Sequence, residues 1–105
     1  MLKFIAIAAV GLFSATAAQA SSDDAWAAFQ AEVEAGCIAA AAPFLSNAAA
    51  TVDPFGSESY GFAIVTGLTP AGTTASTICV MNKQSKAFEI GGELAVSVTP
   101  VDAVE

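Results

Sequence analysis

The chain reads as an α+β domain: one N-terminal helix packed on a three- to four-stranded antiparallel sheet, stapled by a single disulfide. Three observations predict this. Apolar residues recur at steps of three and four early in the chain. From Tyr60 onward they recur at steps of two. Helix followed by runs of strand belongs to the α+β class rather than to alternating βαβ units. The third observation is that Cys37 and Cys79, the only cysteines, fall one in each part.

The first twenty residues precede this domain and carry a different pattern. Lys3 supplies a positive start, residues 4–13 are an unbroken apolar core, and Ala18-Gln19-Ala20 is a small-x-small cleavage site. That is the form of a cleavable export signal. A membrane span needs about 20 apolar residues, twice what is present. Cleavage after Ala20 leaves residues 21–99 as a single small domain and 100–105 as a flexible tail. An exported address, periplasmic or extracellular, follows.

Ser21-Ser22-Asp23-Asp24 can cap a helix and place acids at the positive end of its dipole. Trp26, Phe29, Val33, Cys37, Ala40 or Ala41, and Phe44 then draw one apolar stripe, with Trp26 at its head as a core residue. Pro43 disfavours helical geometry at Ala42 and ends or kinks the helix there. Residues 46–59 read as a connection broken by Asn47, Asp53-Pro54 and Gly56, with Thr51-Val52 a short edge strand. Tyr60, Phe62 and Ile64 alternate with Gly61, Ala63 and Val65, so the next strand is bulky on one face and bare on the other. A turn at residues 69–72 leads to a β-branched strand over 73–81 that carries Cys79, and residues 82–85 form a polar turn. In the last strand Phe88, Ile90, Leu94, Val96 and Val98 are all even-numbered, which favours one long strand bent at Gly91-Gly92. The alternative is a tight hairpin at the two glycines.

A mature chain of about 85 residues has a thin core, burying roughly 60–65% of its unfolded surface. An oxidising compartment permits the one available bridge, Cys37–Cys79. Closing about 43 residues stabilises the fold by roughly 4 kcal/mol in the chain-entropy view. Two thiols without a histidine make a poor metal site.

Ten acids against two lysines, with no Arg or His, give the mature chain a net charge of −8. Nucleic-acid binding needs cations for phosphates and is excluded. Binding to anionic membrane surfaces after cleavage is disfavoured for the same reason. The catalytic inventory is equally bare: no His for a general base, no Arg clamp, no phosphate loop, and no thiol once the cysteines pair. Ser57-Glu58-Ser59-Tyr60-Gly61 resembles a nucleophile elbow, but it lacks the first glycine, the following helix and the histidine. Glu89 and Glu93, on one strand face about 13 Å apart, are too far apart for glycosidase acids at about 5–10 Å. Asp53 and Glu58 match no EF-hand loop, and Asp53 reads more simply as a turn initiator.

No enzyme, cofactor or metal is therefore expected. What remains is Asp53-Pro54-Phe55-Gly56, a rigid turn with an aromatic at its tip. Phe55 either folds back as a lid on the core or joins Tyr60 as an exposed patch. The expectation is an exported binding, inhibitor or accessory module acting on another exported protein, with Asp53, Phe55, Glu58 and Tyr60 as its recognition loop. A self-associating envelope component is the alternative, because a long third strand at the sheet margin would offer an open edge. A metal-dependent carboxylate enzyme is a distant third.

Overall fold

The computed structural model describes residues 22–99 and 101. The expected leader, residues 1–20, lies outside the described residues, as does all of the expected tail except Val101. The helix α1 spans Ser22–Ala41 with Asp23 and Asp24 in its first turn. It stops two residues before Pro43, and the Phe44 and Leu45 backbone N–H groups both donate to the Ala41 carbonyl at 2.9 Å. The strands β1 (Ser46–Val52), β2 (Tyr60–Leu68), β3 (Thr74–Asn82) and β4 (Phe88–Ile90) follow as an antiparallel meander in that spatial order.

The helix lies against the small-residue face of the sheet. Val33, Cys37 and Ala41 are buried from the helix side. Ala63 and Val65 of β2 meet them, with Ala75, Cys79 and Met81 of β3. The odd-numbered residues of β2 allow this approach: a Cβ on Gly61 would come within 2.8 Å of Val33 Cγ2. Phe88 of β4 fills the space beside Gly36 in the same way. The Cys37–Cys79 disulfide joins the C-terminal part of the helix to β3 across a Cα–Cα distance of 5.8 Å, within the range such a bridge requires. The fold class expected from the sequence is the one observed.

Three details differ from the sequence reading. Ser46–Val52 is a full strand rather than a connection. Its alanines carry no polar–apolar alternation, and its ladder with β2 supplies the order that local propensity does not. Asn47, with φ of 50°, marks the register shift at its start. Phe44 does not extend the helical stripe, because it follows the helix end and is 55% exposed. Finally, the last strand is neither one long ladder nor a hairpin. β4 pairs Ile90 with Cys79 and Phe88 with Met81, and a single bridge resumes between Leu94 and Ser76. Continuing the first register would have set Glu93 opposite Ser76, so Gly91–Gly92 absorb one extra residue.

That slip has a large consequence. Phe88 and Ile90 stand opposite inward-facing residues, whereas Ser76 belongs to the outward set. Leu94 therefore faces away from the helix. Side-chain direction alternates with a period of two, so one inserted residue moves the following set to the other face.

Candidate functional site

The turn after β1 is built from hydrogen bonds. Asp53 Oδ1 accepts the backbone N–H groups of Phe55 at 3.1 Å and Gly56 at 3.0 Å. The Gly56 and Phe55 donors hold the Asp53 carboxyl below its ordinary value, with Lys83 adding a favourable field. Gly56 takes φ of +70°, and its backbone sits so close to Tyr60 that a side chain has no room. Two clamps then tie the turn down. Gln30 donates to the Pro54 carbonyl at 3.2 Å. Lys83 Nζ donates to the carbonyls of Phe55 at 2.9 Å and Ser57 at 2.7 Å, while lying 5.0 Å above the Phe29 ring and 5.5 Å above Trp26.

Phe55 packs edge-on to Trp26, ring centroids 5.0 Å apart, and Trp26 packs edge-on to Phe29 at 5.6 Å. Phe55 remains 56% exposed and Trp26 40%. Trp26 is thus the base of a rim cluster rather than part of the core. Phe55 lies on Trp26 rather than over the core.

Of the four residues expected to form one recognition loop, Asp53 and Phe55 are joined by a hydrogen bond within the turn, and the side chains lie on neighbouring surfaces. Phe55 belongs to the Trp26 cluster. Glu58 and Tyr60 line a polar hollow with Asn82 and Lys83. Asp53 stands beside an apolar groove on the outer sheet face. Ser59, the elbow candidate, lies in the polar hollow, where its carbonyl accepts the Lys83 backbone N–H at 2.9 Å. Glu89 and Glu93 do not share a face: Glu89 is opposite outward Val80, and Glu93 lines a groove with Leu45, Thr77 and Ile90 on the helix side. Among the described residues, no cluster of three metal-ligating side chains occurs.

A second surface was not singled out in the sequence. The even-numbered residues of β2 and β3 point away from α1, and they are the bulky ones. Phe62 pairs with Val80 and Ile64 with Ile78, a four-residue apolar centre on the outer face. Ile78 is 49% exposed; Phe62, Ile64 and Val80 are half-buried. Beside it lies the groove of about 540 Å³, bordered by Val52, Pro54, Phe62, Ile64, Ile78 and Val101. Polar residues continue the face towards the other end of the strands, where Thr66 and Ser76 hydroxyls bond at 2.7 Å. The signal for this surface was the alternation in β2 itself. Periodicity grouped Phe62 with Ile64, but it did not say which group met the helix.

Neither of the described lysines, Lys83 and Lys86, faces that surface. Lys83 is turned to the turn carbonyls, and Lys86 Nζ pairs with Glu32 at 3.1 Å. Asp53 stands at one margin of the face and Glu89 at another. The surface can therefore take apolar contact at its centre and cations at its rim. Comparison with protein-family models, curated proteins and solved structures finds no match for this chain.

Proposed function

We propose that the chain is an exported, non-enzymatic binding module that docks another exported protein against the outer face of its sheet. The observation that carries this reading is the Phe62–Ile64–Ile78–Val80 centre on the face opposite the helix. An exposed apolar centre with a polar margin is the anatomy of a docking surface. The charge distribution favours a partner with an apolar patch ringed by Lys or Arg, since Asp53 and Glu89 flank the centre and both described lysines, Lys83 and Lys86, are engaged within the chain. The pinned aromatic turn contributes a rigid border to this surface.

The test places photoreactive p-benzoylphenylalanine at Ile78, and as a control at Glu34 on the helix, in the exported protein. The expected result is an adduct from Ile78 alone, mapped to an apolar segment with flanking basic residues, whose yield drops as salt screens the rim charges. Adducts of equal yield from both positions, or none from Ile78, overturn the proposal.

Self-association is the second reading, and β1 rather than the last strand supports it. β4 has only three residues and ends at a bulge, which blunts that edge. β1 is a seven-residue margin with neither charge nor proline. Sedimentation over a wide concentration range distinguishes the readings: a monomer throughout removes this one.

A further inference from the structure

The outer face already has an occupant. Past the Gly91–Gly92 slip, the chain pairs Leu94 with Ser76 through two mutual backbone hydrogen bonds, at 2.7 and 2.8 Å. Ser76 Oγ then donates to the Val96 carbonyl at 3.5 Å, so the segment passes above the outward side of β3. Val101 reaches the groove beside Phe62 and Ile64. Burial follows this path. Ser76, a polar residue on the outward face, is 1% exposed, whereas apolar Ile78, two residues along the same strand and face, is 49% exposed.

We propose that residues 94–99, with Val101, are a displaceable strap that regulates access to the docking face, an inference that rests on the docking reading above. The strap is an apolar cover of modest strength. Leu94, Val96 and Val98 are 38–44% exposed, and Val101 at the groove rim is 84% exposed. One bridged residue pair holds it, against the nine registered pairs between β2 and β3. Its contacts with Ser76 are polar, and water can replace them when it lifts. Val101 borders the groove beside Phe62, Ile64 and Ile78 that a partner needs, while Leu94 and Val96 cover the face at Ser76. Docking therefore competes with the strap, and the apparent affinity falls by the fraction of chains in which the strap is lifted.

The slip at the glycines makes the device work. With an unbroken register, the even residues of the last segment would have stayed on the helix side with Phe88 and Ile90. The extra residue sends them over the outer face instead, and Gly92 leaves that crossing sterically open.

Two variants of the exported chain test the strap: truncation after Glu93, and Leu94→Pro, which removes the Leu94 N–H donor while keeping the segment. Circular dichroism first establishes that each retains the fold, and Leu94→Pro serves alone should truncation unfold the chain. Anilinonaphthalene sulfonate emission reports exposed apolar surface, and hydrogen exchange at the Ser76 amide reports the bridge. Emission and exchange rising several-fold, with a matching rise in cross-linking from Ile78, support the strap. Unchanged emission and exchange in a folded variant overturn it. A rise in both without cross-linking from Ile78 leaves the cover standing and overturns the docking reading, and with it the regulatory role.

Discussion

The two faces of the same sheet are built on opposite terms. The inner face of β2 carries Gly61, Ala63, Val65 and Gly67, and the outer face carries Tyr60, Phe62, Ile64, Thr66 and Leu68. Bulk alone would bury the second set. The helix takes the first, because its C-terminal part is bridged to β3 at 5.8 Å between Cα atoms and only small residues of β2 permit that approach. At β2 the helix thus meets small side chains, and the larger apolar residues of that strand are left on the far side. A cross-link between closely set elements can decide which face of an amphipathic strand becomes the interior.

That contrast can be broken in graded steps. Replacing both cysteines, Cys37→Ala with Cys79→Ala, is expected to cost about 4 kcal/mol, the loop-closure entropy returned to the unfolded chain. Urea denaturation measures it, and a loss below about 1 kcal/mol would mean that packing, rather than the bridge, selects the inner face. Met81→Ala, at a fully buried inner position, should cost about 3 kcal/mol in the same measurement. Gly61→Val puts its Cβ against Val33 Cγ2 and the Phe29 ring, and overpacking there should cost about 1–3 kcal/mol. Ile78→Thr on the outer face keeps a β-branched shape and should change stability by less than about 0.5 kcal/mol. An outer-face cost equal to the inner-face costs would erase the distinction between core and docking surface.

The smallest effect is at the turn. Folding lowers the Asp53 pKa through the Gly56 and Phe55 donors, so the folded state prefers the ionised carboxylate. The stabilisation is present above the unfolded value, and it is lost as pH falls through the lowered folded one. Acidification below about pH 4 should loosen the turn and change the emission of Trp26, the single tryptophan, through its contact with Phe55. The inner face should stay intact over that range. Asp53→Asn, which keeps an acceptor but does not titrate, should flatten the response, and an unaltered profile in that variant would assign the change elsewhere.

Much of the architecture was legible from spacing. The helix boundary at Pro43, the period-two strands and the turn at residues 69–72 all follow from side-chain patterns that local backbone geometry enforces. The β1 strand was legible only at its end, Thr51-Val52, because the alanines before it carry no polar–apolar contrast and their order comes from the β2 ladder. The candidate site was legible only in part. Asp53 as a turn initiator follows from its own chemistry, but the clamp by Lys83, 28 residues from Phe55, needs the polar turn after β3 brought beside the aromatic turn.

By itself, the sequence determined the helix, the strand alternation and the single possible cysteine pairing. It also determined which residues of β2 share a face, and likewise of β3, since within an unbroken strand that depends on periodicity alone. Only the tertiary structure decided which face was covered, that Phe55 packs on Trp26 while Glu58 and Tyr60 line a separate hollow, and that the last segment crosses to the outer side. Those outcomes depend on contacts between distant parts of the chain and on one inserted residue at Gly91–Gly92. A one-residue slip leaves every local pattern intact while reversing the direction of each side chain beyond it.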